Sequence, residues 1–158
     1  MSAADDLWTW AVAAYGREGV SEACLELQDV HGQTVPLLLW TAWAAGSGRA
    51  LDDEAIEAAI DVARVWDQTA VSPLRAIRRA LKVPLIDMDP EAREAVRARV
   101  KATELEAERR LLIGLAALAP EPSGQPLPAL PDLLRVARAW GSAIPRPALT
   151  RLVERLGS

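Results

Sequence analysis

Residues 35–45 read VPLLLWTAWAA, a run that is apolar around its whole circumference when wound as a helix. Such a helix has no face to turn to water and must be surrounded by others. Pro36 is compatible with it, because in the first turn the missing N–H has no helical partner to lose, and Thr34 stands at the N-cap position. The run is interrupted by Pro36 and Thr41 and falls well short of the roughly 20 residues that a membrane span requires. The sequence therefore predicts a buried central helix in an all-α bundle.

The flanking segments supply the surrounding helices. Over 5–15, Trp8, Val12 and Tyr15 recur at i, i+4 and i+7 ahead of Gly16. Ser21 is a suitable N-cap for a second helix ending at Gly32, with Val20 stapled to Leu25 and with Val20, Cys24, Leu27 and His31 on one face. Glu18, Glu22, Glu26 and Asp29 form an acidic stripe on the other. Asp52, Asp53 and Glu54 begin a helix whose inner face is Ile56, Ile60, Ala63 and Trp66 and which is expected to end before Ser72. Ser72-Pro73 then starts a helix with Leu74, Ile77 and Leu81 inward and Arg75, Arg78, Arg79 and Lys82 on the flank. Asp89-Pro90 starts the longest helix, running without a breaker to Ala119 through Val96, Val100, Ala107, Leu111 and Leu118. No stretch alternates as a half-buried strand does.

Residues 120–131, PEPSGQPLPALP, lose all periodicity and read as a stiff, extended linker. Two amphipathic helices follow, marked by Leu133, Val136, Ala137 and Trp140 and by Leu149, Leu152, Val153 and Leu156. The expected organisation is a helical bundle over 1–119, a proline-rich linker over 120–131 and a basic helical tail over 132–158.

The chain has 158 residues, a length that suits one domain with its own core, and a net charge of −4. The charge is unevenly spread: residues 1–63 carry two Arg against eleven acids, −9, and residues 64–158 carry +5. Two such halves most simply neutralise each other across the bundle. A single Cys and a single His exclude an intrachain disulfide, a zinc finger and any multi-histidine metal site. Asp5 and Asp6 stand where a secretory signal would carry cations, so a cytoplasmic location with a reduced Cys24 is expected.

Few catalytic constellations survive a geometric test. Cys24 and His31 lie seven residues apart on one helix, about 10 Å, too far for proton transfer, and Cys24 reads as core and His31 as a helix-end imidazole. Glu104, Glu106 and Glu108 lack the Glu-x-x-His partners of a di-iron bundle, and Glu106 is well placed to pair with Arg109 and Arg110. Gly46-Ser47-Gly48-Arg49 has no Lys-Ser/Thr ending and is a helix-connecting turn. The six Trp read as core, each indole N–H finding a carbonyl. No catalytic residue, metal site or cofactor is assigned.

The cation stripe Arg75, Arg78, Arg79 and Lys82 is the main binding candidate, together with Gln28 and Asp29. Four cations within two turns repel one another and require carboxylates or an external anion. Internal pairing with the Glu104 to Glu108 cluster or with Glu22, Glu26 and Asp29 is favoured; an anionic small molecule beside Gln28 and Asp29 is the other option. Gln28 and Asp29 could also cap the N–H groups near Thr34.

Four stretches, LWTWAVAAY, GVSEACLELQDVHGQTVPLLLWTAWAAG, VWDQTAVSPLRAIRRALK and ELEAERRLL, together resemble an uncharacterised proteobacterial family of about 160 residues, the domain-of-unknown-function class numbered 2390. The resemblance spans about 7–118, with ACLxLQDxxG and PLRxxRxxLK its distinctive parts. Pro36 departs from it, standing where a polar residue, often Asn, is expected. The resemblance implies a grouping of motifs and supplies no activity.

The resulting expectation is a non-catalytic cytoplasmic binding or adaptor protein acting through protein–protein contacts. One alternative is a helical enzyme or small-molecule-binding protein that holds an anion at Arg75, Arg78 and Arg79. Another is DNA contact through a helix-turn-helix-like tail carrying Arg135, Arg138, Arg146, Arg151 and Arg155. No membrane partner is expected, and nucleic acid is disfavoured by the overall charge.

Overall fold

The computed structural model describes residues 2–141 and 143–157. Among these the chain is all helical, with no strand: α1 Ala3–Tyr15, α2 Val20–Asp29, α3 Val35–Gly46, α4 Asp53–Trp66, α5 Ser72–Ala80, α6 Pro90–Leu118, α7 Ala129–Trp140 and α8 Arg146–Leu156. None is long and apolar enough to cross a membrane.

α3 occupies the centre, as its composition demands. Every residue from Val35 to Ala45 is buried, and α1, α2, α4, α6 and α7 all pack on it. Thr41 is tolerated there because its hydroxyl donates to the Leu37 carbonyl at 2.8 Å. The expectation for the tryptophans holds only in part. Trp40 and Trp43 are fully buried, Trp8, Trp10, Trp66 and Trp140 only partly, and of the six only Trp140 gives its indole N–H to a carbonyl among the described residues. Trp140 Nε1 donates to the Gly32 carbonyl and Trp43 Nε1 to the Asp6 carboxylate, whereas the buried Trp40 Nε1 has no partner among the described residues. An unmade bond of that kind costs about 1–3 kcal/mol, which burial of the whole ring offsets.

Helix starts follow local chemistry, with corrections. α1 begins with a capping box in which Ser2 Oγ accepts from the Asp5 amide and the Asp5 carboxylate accepts from the Ser2 amide. α2 is capped by Gly19 at φ 83° rather than by Ser21, which lies in the first turn. A Cβ at Gly19 would fall 2.7 Å from the Arg155 side chain, which would have to move aside. His31 does not extend the α2 stripe; the helix ends at Asp29, the chain turns at Gly32, and His31 is exposed.

α4 ends at Trp66, before Ser72 as expected, but no break follows it. Its backbone continues through a π-helical turn at Asp67–Val71 directly into α5, and Ser72 Oγ donates to Asp67 Oδ1 at 2.9 Å instead of capping a new helix. The wider turn accommodates Pro73, which has no N–H to continue the α ladder. α5 has no fully buried residue, and Ile77, expected to face inward, is half exposed. α6 begins where expected, with Asp89 accepting from the Ala92 amide at 2.8 Å, and is 29 residues long. Its second half buries Ala107, Leu111, Leu112, Leu115 and Ala116, but no residue before Glu104 is fully buried, and Val96 is half exposed. α6 outruns its shorter neighbours and packs on α5 as well as on α1, α3 and α4, and the turn between α5 and α6 exposes Val83, Leu85 and Ile86.

The proline-rich segment crosses the α3–α4 turn as a strap. The Ser123 amide donates to Gly48 O, the Leu127 amide to Ala45 O, and Arg49 Nη1 to Pro120 O, with the Arg49 guanidinium stacked on Trp43. Gly48, at φ 71°, meets the Gly124 backbone so closely that no Cβ fits. α7 begins at Ala129, inside the stretch expected to be linker, and packs on α3, while α8 packs on α2. Leu133, Val136, Leu149, Leu152 and Leu156 belong to the same apolar cluster as Trp40 and Leu38, so the core does not divide at 120–131.

Leu149→Ala should therefore lower the stability of the whole chain by about 2–4 kcal/mol. Chemical denaturation followed by Trp fluorescence and by circular dichroism should give one coincident transition. Two separate transitions would show that the tail unfolds independently.

Candidate functional site

The packed helix pairs include α1–α6, α3–α6 and α2–α3 but not α2–α6. Between these two helices lies an open cleft of about 680 Å³, a volume within the range of ligand sites. α1 lines it with Trp8, Val12 and Tyr15, α2 with Leu25 and Gln28, and the start of α3 with Val35, Pro36 and Leu39. α6 contributes Lys101, Glu104, Leu105, Glu108, Arg109 and Leu112, and Arg78 reaches in from α5.

The apolar stripe of α1 acquires a different role here. Trp8, Val12 and Tyr15 are not the face on which α1 packs; that face is Leu7, Ala11 and Ala14, one position earlier in each case. α1 carries two adjacent apolar stripes, one for the core and one for the cleft. Leu25, expected to staple onto Val20, stands half exposed at the cleft edge. Val12, Tyr15, Leu25 and Leu105 are 40–57% exposed, whereas Leu39 and Leu112 beneath them are buried.

The polar end of the cleft is an arginine–glutamate network. Glu104 is buried and accepts from Arg75 Nε at 3.3 Å and from Arg78 Nε and Nη2 at 2.5 and 3.3 Å. Glu108 lies 3.6 Å from Arg75 Nη2. Arg79 Nη2 reaches Asp29 Oδ1 at 2.6 Å, and Gln28 Nε2 donates to the same carboxylate oxygen. Three of the four stripe cations are thus paired internally; Lys82 is exposed and has no carboxylate within ion-pair distance among the described residues. Of the six candidate binding residues, Arg78 and Gln28 line the cleft, while Arg75 and Asp29 hold the network that borders it. The Asp29 carboxylate accepts from Gln28 and Arg79 rather than from the start of α3, and the side chain of the N-cap residue Thr34 makes no capping bond.

Burial controls the protonation of these groups. It raises Glu108 above its ordinary 4.5, and the neighbouring Glu104 charge raises it further, against the opposing pull of Arg75 and Arg78. Tyr15 is pushed up to about 12, mainly by burial, and its hydroxyl keeps its proton as a donor. Burial likewise pushes the Cys24 thiol to about 12, which suits a packed apolar residue rather than a nucleophile. Glu106 pairs with Arg110 on the outer face of α6 at 2.8 Å, and no cluster of three metal-ligating side chains occurs among the described residues. In the tail, Arg135 pairs with Asp53 and Asp132, and Arg151 with Glu26.

The two cleft glutamates should respond oppositely to neutralisation. Glu104→Gln leaves Arg75 and Arg78 short of a counter-charge and should cost about 3 kcal/mol at pH 7. Glu108 holds its proton to higher pH in the folded chain than in the unfolded one, so its ionisation costs stability as pH rises above 4.5. Glu108→Gln should consequently match the parent near pH 3 and exceed it at pH 7, as measured by urea denaturation at the two values. A loss of stability at pH 7 would show that Glu108 is a satisfied ion-pair partner.

All the lining residues fall between 8 and 112, and each stretch that carries the family resemblance contributes to the cleft wall, whereas α7 and α8 contribute nothing. Comparisons with curated proteins and with solved structures gave no match. The family model described as "Protein of unknown function (DUF2390)" matches residues 6–115, which hold the entire cleft, and the chain belongs to that family.

Proposed function

We propose that the protein is a non-catalytic binding or adaptor protein that takes an apolar helical segment of a partner polypeptide into the cleft between α2 and α6. The observation that carries this reading is the exposed apolar rim, Val12, Tyr15, Leu25 and Leu105, continuous with the buried Leu39 and Leu112. An amphipathic helix laid there would pack on α1, α2 and α6 at once and add the member that the bundle lacks between α2 and α6. The charged border suits a polypeptide too: Lys101 and Arg109 flank the α6 side and the Glu108 carboxylate the inner end, so a helix with complementary charges beside its apolar stripe is selected over a purely greasy one. A cytoplasmic setting accompanies this reading, in which the lone Cys24 stays a buried thiol.

The alternatives are less supported. An anion at Arg75, Arg78 and Arg79 would have to displace Glu104, Glu108 and Asp29, and a DNA-binding tail would have to release Arg135 and Arg151 from Asp53, Asp132 and Glu26.

Selection of a displayed helical-peptide library, with the apolar stripe positions randomised, on the full chain should yield binders. Calorimetry should find their affinity reduced about tenfold or more by Leu105→Glu or Val12→Glu, exposed sites where the fold tolerates a charge. Binders indifferent to both substitutions would place the contact elsewhere. No binders at all, together with uptake of a small amphiphile such as octylamine, would overturn the polypeptide occupant.

A further inference from the structure

The carboxylates of the cleft are partnered unequally, and the inequality specifies what should enter. Glu104 and Glu108 lie one turn apart on α6. Glu104 takes every guanidinium hydrogen bond that Arg75 and Arg78 direct at the pair. Glu108 is left with the 3.6 Å approach of Arg75, beyond hydrogen-bond length, although only 24% of its side chain remains exposed. A helix laid over the cleft would take from this half-buried carboxylate the water that now reaches it, which is costly unless a donor of that helix replaces it.

Beyond the ion pair with Arg75, neither Arg109 nor Lys101 is placed to satisfy Glu108. Arg109 is the next residue along α6, a spacing at which helical side chains do not face each other, and its guanidinium lies over the Trp8 ring at 4.7 Å. Lys101 stands two turns away, about 10 Å along the helix. Gln28 points its amide nitrogen at Asp29, leaving its carbonyl oxygen as a further acceptor. Apart from the neutral Tyr15 hydroxyl, the cleft around Glu108 offers acceptors and apolar surface, and a donor that suits it is long, apolar along its stem and cationic at its tip.

We infer that the helical segment bound in the cleft carries a Lys or Arg within its apolar stripe, seated on Glu108. This rests on the cleft being a polypeptide site. The stem of such a residue would lie against Leu105 or Leu112, one turn to either side of Glu108, while its head meets the carboxylate in a charge-assisted contact. The same contact discriminates: a partner with an aliphatic residue at that position buries Glu108 without a donor, and one with an acid sets like charges together.

The test uses peptides selected from the randomised helical library on the full chain. They should carry Lys or Arg at one stripe position, and changing that residue to Gln should weaken binding to the parent chain about tenfold. On Glu108→Gln, whose fold is checked by circular dichroism, the Lys and Gln peptides should bind alike. Selected peptides that need Leu105 but carry no stripe cation, or that bind equally well after the change to Gln, would overturn the cation while leaving the polypeptide site intact. A library with no cleft binder would remove both.

Discussion

An all-apolar helix can be stable in water only inside a shell, and the need to cover α3 governs the rest of this fold. Five helices lie against it, and they come from both ends of the chain. The N-terminal half supplies α1, α2 and α4; the far end supplies α7, brought back by a strap of prolines held to the α3–α4 turn. Where the shell is complete, side chains of ordinary amphipathic helices suffice. Between α2 and α6 it is incomplete, and there the second apolar stripe of α1 faces outward.

The opposed charges of the two halves have a matching role. Asp29, Glu26 and Asp53 from the acidic half pair with Arg79, Arg151 and Arg135 from the basic half. Each of these bridges is at least partly exposed, so their worth in stability is small, about 0–1 kcal/mol apiece. They act more as register marks, fixing α5, α8 and α7 against α2 and α4. The buried Arg75–Arg78–Glu104 cluster differs in kind: it lies within the α5–α6 pair and locks a hairpin that has almost no apolar core of its own.

Much of this architecture is legible in the sequence, and the unread parts have specific causes. The central helix, the Asp89-Pro90 start and the pairing of the arginine stripe with glutamates and Asp29 follow from composition and local chemistry. The continuation through Ser72-Pro73 does not, because serine followed by proline is the pattern of a new helix start, and only the π-helical turn lets the chain ignore it. The cleft was hidden by α1, where Leu7, Ala11 and Ala14 and Trp8, Val12 and Tyr15 share one spacing, and periodicity alone favours the bulkier set. Packing chose the smaller set for the core, since alanines let α1 approach α3 and α6 closely. An α1 with two apolar stripes was the available signal. Val96 and Ile77 were misplaced for a related reason: a periodic stripe does not reveal where a long helix leaves its bundle.

The position of α7 has a consequence for the chain as it is made. α3 is complete by residue 46, yet one of the helices that cover it does not begin until residue 129. A ribosome must therefore add some eighty further residues while the most apolar helix of the protein stands partly unshielded. At about 5–20 residues per second that interval lasts several seconds, long enough for a chaperone to find the exposed flank. A proline-rich strap is stiffer than an ordinary linker of its length, so α7 has fewer chain conformations to search before it docks on that flank.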